Sequence, residues 1–419
     1  MSTKLEVAYQ LKCSCNQYPW GRQGSNSLAA QLCAKQPGWD GEDAKQTFKI
    51  DEDKCYSEMW MGTYPVLPSY VADTGEDLQD VLDRHPKELI GEQTLQKFGH
   101  SKIPYLPKVL SIAKALPLQL HPNKDLAAKL HEKKPDQFTD PNHKPEIALA
   151  LTEFEAFCGF KPLQVISKTM GLEPLKRYMP SVKKPDFDDQ QLKAVVQRML
   201  EADDNTIKET YQALTSMSES DFGSEKHILK LAPRLAEQYS EADPGLLVAL
   251  ITMNYLVLQP NEGLYIPADG IHAYLSGDII ECMARSNNVL NVGLCPRSSR
   301  DNVELFCSCL TFTPHTPEDC MLKKQPYKRS KQSKTSLYSP PLSEFDMLAT
   351  ELKSGEKEVL EKFGGPAIMI ATKGGAKMKV GQKMEHDLKE GQVFFIASGN
   401  ELQLEASSEG LLMHTALVE

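Results

Sequence analysis

Gln119 and His121 stand two residues apart in Pro117-Leu-Gln-Leu-His-Pro122, and Lys144 and Glu146 stand two apart in Asn142-His-Lys-Pro-Glu146. On a strand, residues two apart leave the same face. Each pair therefore points together, and the two pairs offer an amide oxygen, an imidazole, an ammonium and a carboxylate. Farther along, the spacing Gly263-x3-Pro267-x2-Gly270-x-His272 is that of a tight turn that delivers an imidazole at the start of a strand. Gln119, His121, Glu146 and His272 thus form a metal-ligand set of two imidazoles, one carboxylate and one amide oxygen. Zinc accepts nitrogen and oxygen ligands at ~2.0–2.2 Å and is the first choice; iron or manganese suits the same donors. Each residue alone has an ordinary reading as a loop, sheet-edge or ion-paired residue. Four polar side chains on apolar strands nevertheless need partners, because burial without them is costly. His100, His131, His315, His386 and His414 lack partners at informative spacing.

The elements that must position these groups follow from periodicity. Leu5, Val7, Tyr9 and Leu11 share one face of a strand, and a loop with Tyr18, Trp20 and two glycines follows; its aromatics either line a pocket or cover a core edge. Short helices broken near Pro86 precede strand character from Pro104 to Leu120, interrupted at Ala113-Lys114. The Gln119/His121 strand runs into a helix that starts at Asn123. Residues 163–250 change character: Leu192, Val195, Val196, Met199 and Leu200 fall at helical spacing behind Asp188 and Asp189, and similar patterns follow at 207–217 and 228–239. Strands return from Tyr255, and the Gly-Pro-Gly-His turn is the kind that links strands in cupin barrels.

The chain is therefore expected to be mostly β with a helical insertion, built on cupin-type jelly-roll barrels, one binding metal and one structural at the C-terminus. The boundaries are 1–162 plus 251–325 for the metal-binding domain, 163–250 for the insertion, and 326–419 for a linker loop and the C-terminal barrel, where Glu401 stands in place of a metal-binding His. The Lys- and Ser-rich stretch 322–337 reads as an exposed excursion.

With 57 acidic against 47 basic residues the net charge is −10, and no basic stripe interleaved with aromatics is visible, which argues against nucleic acid and for a small ligand. Ten cysteines at irregular spacing, without paired CxxC motifs or an N-terminal signal-like run, read as reduced thiols in a cytoplasmic protein. The longest apolar run, Gly245 to Leu258, is shorter than the roughly 20 residues of a membrane span.

Tyr18-Pro-Trp-Gly, Trp60-Met-Gly-Thr, Lys108-Val-Leu-Ser-Ile, Gln119-Leu-His-Pro, Asn142-His-Lys-Pro-Glu, Phe157-Cys-Gly-Phe-Lys-Pro, Gly270-Ile-His-Ala-Tyr and Tyr338-Ser-Pro-Pro resemble the type I mannose-6-phosphate isomerases. The resemblance covers nearly the whole chain. It implies one zinc per chain held by Gln119, His121, Glu146 and His272, and interconversion of mannose 6-phosphate and fructose 6-phosphate in a monomer that feeds GDP-mannose synthesis. Aldose–ketose isomerisation passes through an enediol and needs a base, an electrophile and positive charge for the phosphate. Lys144 and Glu281 are the expected proton-transfer residues, Trp20 and Arg297 the expected substrate contacts, with Arg297 taking the place of a family basic residue. Arg300 reads as a surface charge, and Arg285 is a second candidate cation.

The chain departs from the family pattern where such enzymes read Asp-Asn-x-x-Arg-Ala-Gly: here the string is Asn287-Asn-Val-Leu-Asn291-Val-Gly293, and Tyr64 stands where a His follows Trp-Met-Gly-Thr. Losing one fixed cation typically costs about 100- to 1000-fold in turnover. Two expectations follow: an isomerase in which a neighbouring arginine compensates, or a metal-binding paralogue with little activity that binds or senses sugar phosphates.

Overall fold

The computed structural model describes residues 5–37, 48–181, 186–342, 344–382 and 384–419. Most of its strands belong to two large antiparallel sheets, with a helical unit set into the chain between strands of the first.

The first sheet has 11 strands, and its axis is the strand His272–Ala284. The N-terminal part of that strand pairs with Phe154–Phe160 and, through His272, with Gln119; the C-terminal part pairs with Tyr105–Ile112 on one side and Glu146–Ala150 on the other. The change of partners falls at Gly277, where φ is +117° and an added Cβ would sit 2.5 Å from the Glu153 carbonyl oxygen. Only glycine lets the strand turn so close to a neighbouring backbone. This bend brings ligands from separate strands to one end of the sheet.

The helical unit matches its periodicity. Asp188 caps Asp189–Glu201 in a capping box with Gln191, and Leu192, Val195, Val196, Met199 and Leu200 are all buried. Asp204–Thr215, His227–Gln238 and Pro244–Thr252 follow. Phe306, Cys307 and Cys309, from the helix Val303–Cys309 far along the chain, join the same core. The longest apolar run is divided between the helix Pro244–Thr252 and the strand Met253–Leu258, and no described helix is long and apolar enough to cross a membrane.

The second sheet has 10 strands, dominated by the long strands Ala367–Val380 and Leu402–Leu417. The pair stays continuous because register shifts at Ala371/Lys373 and Gly374/Ala376 absorb the irregularity. Ala8–Lys12 pairs with Val393–Ile396, so the first strand of the chain lies in the sheet of the last block and the boundaries drawn along the sequence do not follow sheet membership. Tyr9 and Leu11 pack in a core that includes Val109, Ile147 and Ile280 of the first sheet and Ile368, Ile370 and Phe395 of the second.

The lysine-rich stretch is not a free excursion. Gln325–Pro326 pairs with Thr335–Tyr338, Tyr327 is buried, and the buried Glu358 carboxylate accepts from Gln332 N (3.0 Å), Lys334 N (2.8 Å) and Ser330 Oγ (2.5 Å). The lysines face outward while the backbone is held by an acid from the adjoining strand. All ten cysteines are free thiols.

Candidate metal centre

His121, Glu146 and His272 are buried, and one ligand atom of each lies within 4.8 Å of the other two. Glu146 opens the strand Glu146–Ala150 and is paired with Ile266 and Met283; His272 opens the central strand after the turn closed by Gly270 N–H to Pro267 O at 3.0 Å. His121 follows Leu118–Leu120, its N–H tied to Ala268 O at 2.9 Å. Gln119 is directly opposite His272 on one side and Asn291 on the other, so the three share one face of adjacent strands.

The imidazoles are fixed by their outer nitrogens. His121 Nδ1 lies 2.7 Å from Asn288 O and His272 Nδ1 lies 3.0 Å from Gly270 O, so each Nδ1 carries the hydrogen and donates it, which leaves the Nε2 lone pair pointing inward. Both Nε2 atoms are buried without a hydrogen-bond partner, at 3.2 and 3.6 Å from the two oxygens of Glu146. Lone pairs facing a carboxylate at this range repel unless a cation lies between them, so the donor set fits a divalent metal.

Protonation states agree with that reading. Burial and the Lys144 charge push His121 down to about 4, and burial pushes His272 down, so both are neutral at pH 7. Burial opposes the charge on Glu146, but Lys144, with Nζ 3.0 Å from Oε1, outweighs it and holds the carboxyl well below its usual range. The Tyr274 hydroxyl reaches the other oxygen at 3.5 Å.

Beside this cluster lies a second buried group whose members the sequence shows only as parts of separate motifs. Lys108 is 3.2 Å from Glu281 and 3.8 Å from Glu58, and it lies over the Trp60 ring at 4.8 Å. Burial alone would lower Lys108, but Glu58, Glu281 and Glu146 together raise it. Burial and the Glu146 charge push Glu281 up to about 7, with Lys108 and Lys144 opposing. A carboxyl poised there can take or give a proton at neutral pH. The signal was present in the sequence as charged residues, Glu58 and Lys108, within apolar strand segments.

The other expected residues are distributed differently. Trp20 is half-buried, stacks on Tyr18 with centroids 6.0 Å apart, and packs against the cluster containing Tyr274. Arg297 is 72% exposed and pairs with Asp204 of the helical unit, so its contact is with neither the cluster nor Gln119. Arg300, expected at the surface, is instead in an ion pair with the buried Asp243 at 2.8 Å. Arg297 leaves the short 3-10 turn Arg297–Ser299 toward solvent, while Arg300 is held at an interior junction by Asp243, which also accepts from Gly245 N and Leu294 N. Asn287 is exposed and its N–H donates to Asp140. Asn291 N–H donates to Asp301 at 2.7 Å, and its side-chain oxygen is buried without a hydrogen-bond partner.

Comparison with known proteins decides the family. Residues 8–163 match the model "Phosphomannose isomerase type I, catalytic domain" and residues 336–383 match "Phosphomannose isomerase type I C-terminal". The mannose-6-phosphate isomerase of Saccharomyces cerevisiae is 37% identical over 100% of this chain and 100% of its own length, and that of Candida albicans is 35% identical over 96% of each. The chain belongs to the type I phosphomannose isomerase family. Among solved structures, mannose 6-phosphate isomerase from Salmonella typhimurium bound to its substrate and a zinc atom superposes with a TM-score of 0.78 at 21% identity, covering 99% of this chain and 100% of that one. A zinc-bound holo mannose 6-phosphate isomerase gives the same TM-score, identity and coverage. At that identity the likeness shows a phosphomannose isomerase fold.

Proposed function

We propose that this chain is a zinc-dependent aldose–ketose isomerase that interconverts mannose 6-phosphate and fructose 6-phosphate. The observation that carries the reading is the pair of orphaned imidazole nitrogens facing the Glu146 carboxylate in a phosphomannose isomerase framework. His121, Glu146 and His272 would hold the metal, with Gln119 as the fourth ligand from the strand beside His272. When bound, zinc supplies a Lewis acid for the sugar oxygens. The chain's own groups do the rest. Glu281, sharing its interior face with Glu146 through the strand pairing, serves as the proton shuttle between the first two carbons. Lys144 keeps Glu146 ionised and places a donor at the edge of the site, and Lys108 stabilises Glu281 as a carboxylate.

The finer architecture belongs to the same proposal: the two sheets are cupin-type jelly-rolls, the first binding metal and the second structural, with 163–250 as the insertion. The chain would work as a cytoplasmic monomer on a sugar phosphate, upstream of GDP-mannose.

The test is an isomerase assay on metal-analysed protein. Purified protein should carry about one zinc, and chelation should abolish conversion. An inactive wild type in which N287D combined with N291R gains activity supports the metal-binding paralogue, and high wild-type activity excludes it. Zinc-loaded wild type without any turnover overturns the isomerase reading and leaves a metal-binding paralogue.

A further inference from the structure

Arg285 occupies a position that the metal centre leaves unexplained. Met283 is paired with Glu146, and the ladder continues with Ala284 N–H donating to Pro145 O at 3.1 Å. Continued by one step, this register places Arg285 across from Lys144, just beyond the ends of both strands. The backbone there is pinned from both sides, by Arg285 N–H to Pro104 O at 2.9 Å and Asn142 Nδ2 to Arg285 O at 3.0 Å.

The guanidinium is aimed as deliberately. Its two terminal nitrogens donate to Thr63 Oγ1 at 3.1 Å and to Thr63 O at 2.8 Å, and its carbon lies 5.2 Å from the centre of the Tyr64 ring. Tyr64 in turn meets Trp60 edge-on at 5.8 Å, and Trp60 lies under the Lys108 ammonium. Two of five donors are used, so three remain. Among the described residues no carboxylate lies within ion-pair distance of Arg285, whereas Arg297 is paired with Asp204 and Arg300 with Asp243. The Asp140 charge acts on it from a distance, but the guanidinium itself is held by neutral oxygens and an aromatic face, and its spare donors suit an anion with in-plane acceptors.

We infer that Arg285 binds the phosphoryl group of the sugar phosphate. This rests on the isomerase reading above. Tyr64, standing where the family pattern has His, is the platform that sets the guanidinium plane.

The test compares wild type with R285Q in zinc-loaded protein. R285Q should raise the KM for mannose 6-phosphate by about 10- to 100-fold, the loss expected for a charge-assisted contact, and should weaken inhibition by inorganic phosphate in parallel. Zinc content should stay near wild type. R285K, which keeps the charge but not the planar fork, should lie between the two, and it carries the test if R285Q does not fold. Unchanged KM and unchanged phosphate inhibition overturn the assignment, as does a loss confined to kcat. If wild type has no turnover, the isomerase reading fails first; calorimetric titration with fructose 6-phosphate then reads Arg285 directly, and equal affinity in R285Q, or no binding to either protein, overturns this inference.

Discussion

Two buried carboxylates, one in each large sheet, separate chemistry from architecture. Glu358, in the C-terminal sheet, is fully buried and receives hydrogen bonds from Ser330, Gln332, Lys334 and its own neighbour Val359, so its lone pairs are occupied by donors of one local loop. Glu281, in the first sheet, has Lys108 at 3.2 Å and faces the field of Glu146, which with burial lifts it to about 7. A carboxylate whose lone pairs are taken up by donors is tied to its loop; one held between a cation and another carboxylate is left able to exchange a proton. The buried histidines divide the same way. His121 and His272 present orphaned nitrogens to a shared point, whereas His414 in the second sheet contacts Thr372 Oγ1 at 3.1 Å and is otherwise simply buried.

That contrast can be broken most forcefully by Lys108→Met. Removing the ammonium leaves Glu58 and Glu281 buried without their cation, and urea unfolding should show a loss of about 3–5 kcal/mol. A loss under about 1 kcal/mol, the range of exposed pairs, would mean that the network is wet and not a poised interior.

Glu146→Gln should lower metal affinity by about 100-fold or more, because the neutral amide can no longer balance a divalent ion between two imidazoles. Metal analysis after dialysis against a weak chelator reads this, and retention of stoichiometric metal would show that the three residues are not the ligand set.

The smallest effect sharpens the other half of the comparison. Burial depresses His414 to about 4 in the folded protein, against about 6.5 unfolded. The unfolded chain therefore binds the extra proton first, so stability is full above about pH 6.5 and falls as the pH drops through the interval down to about 4. The total is at most about 3 kcal/mol. His414→Gln should flatten that part of the stability–pH curve without altering metal content, and a slope equal to wild type would count against a buried neutral imidazole.

Much of this was legible before folding because it is local. Period-two spacing placed Gln119 with His121 and Lys144 with Glu146, and the Gly-Pro-Gly turn fixed where His272 begins its strand. Helical spacing behind Asp188 marked the insertion. The candidate ligands are readable because each sits beside its own turn or strand end, where short-range sterics determine direction.

Arg297, Arg300 and the lysine-rich stretch were not legible, since their partners are distant in sequence. Asp204 draws Arg297 outward, Asp243 draws Arg300 inward, and Glu358 folds residues 330–334 onto the second sheet. Nor does composition reveal that Ala8–Lys12 closes against Val393–Ile396.

The sequence alone therefore determined which polar residues share a face and the alternation of β and helical blocks, which follow from backbone periodicity. Tertiary structure decided which charges are buried together and which are left unpaired. Burial and electrostatic fields depend on residues far apart in the chain, and Arg285 meets Thr63 and Tyr64 only when distant segments come together.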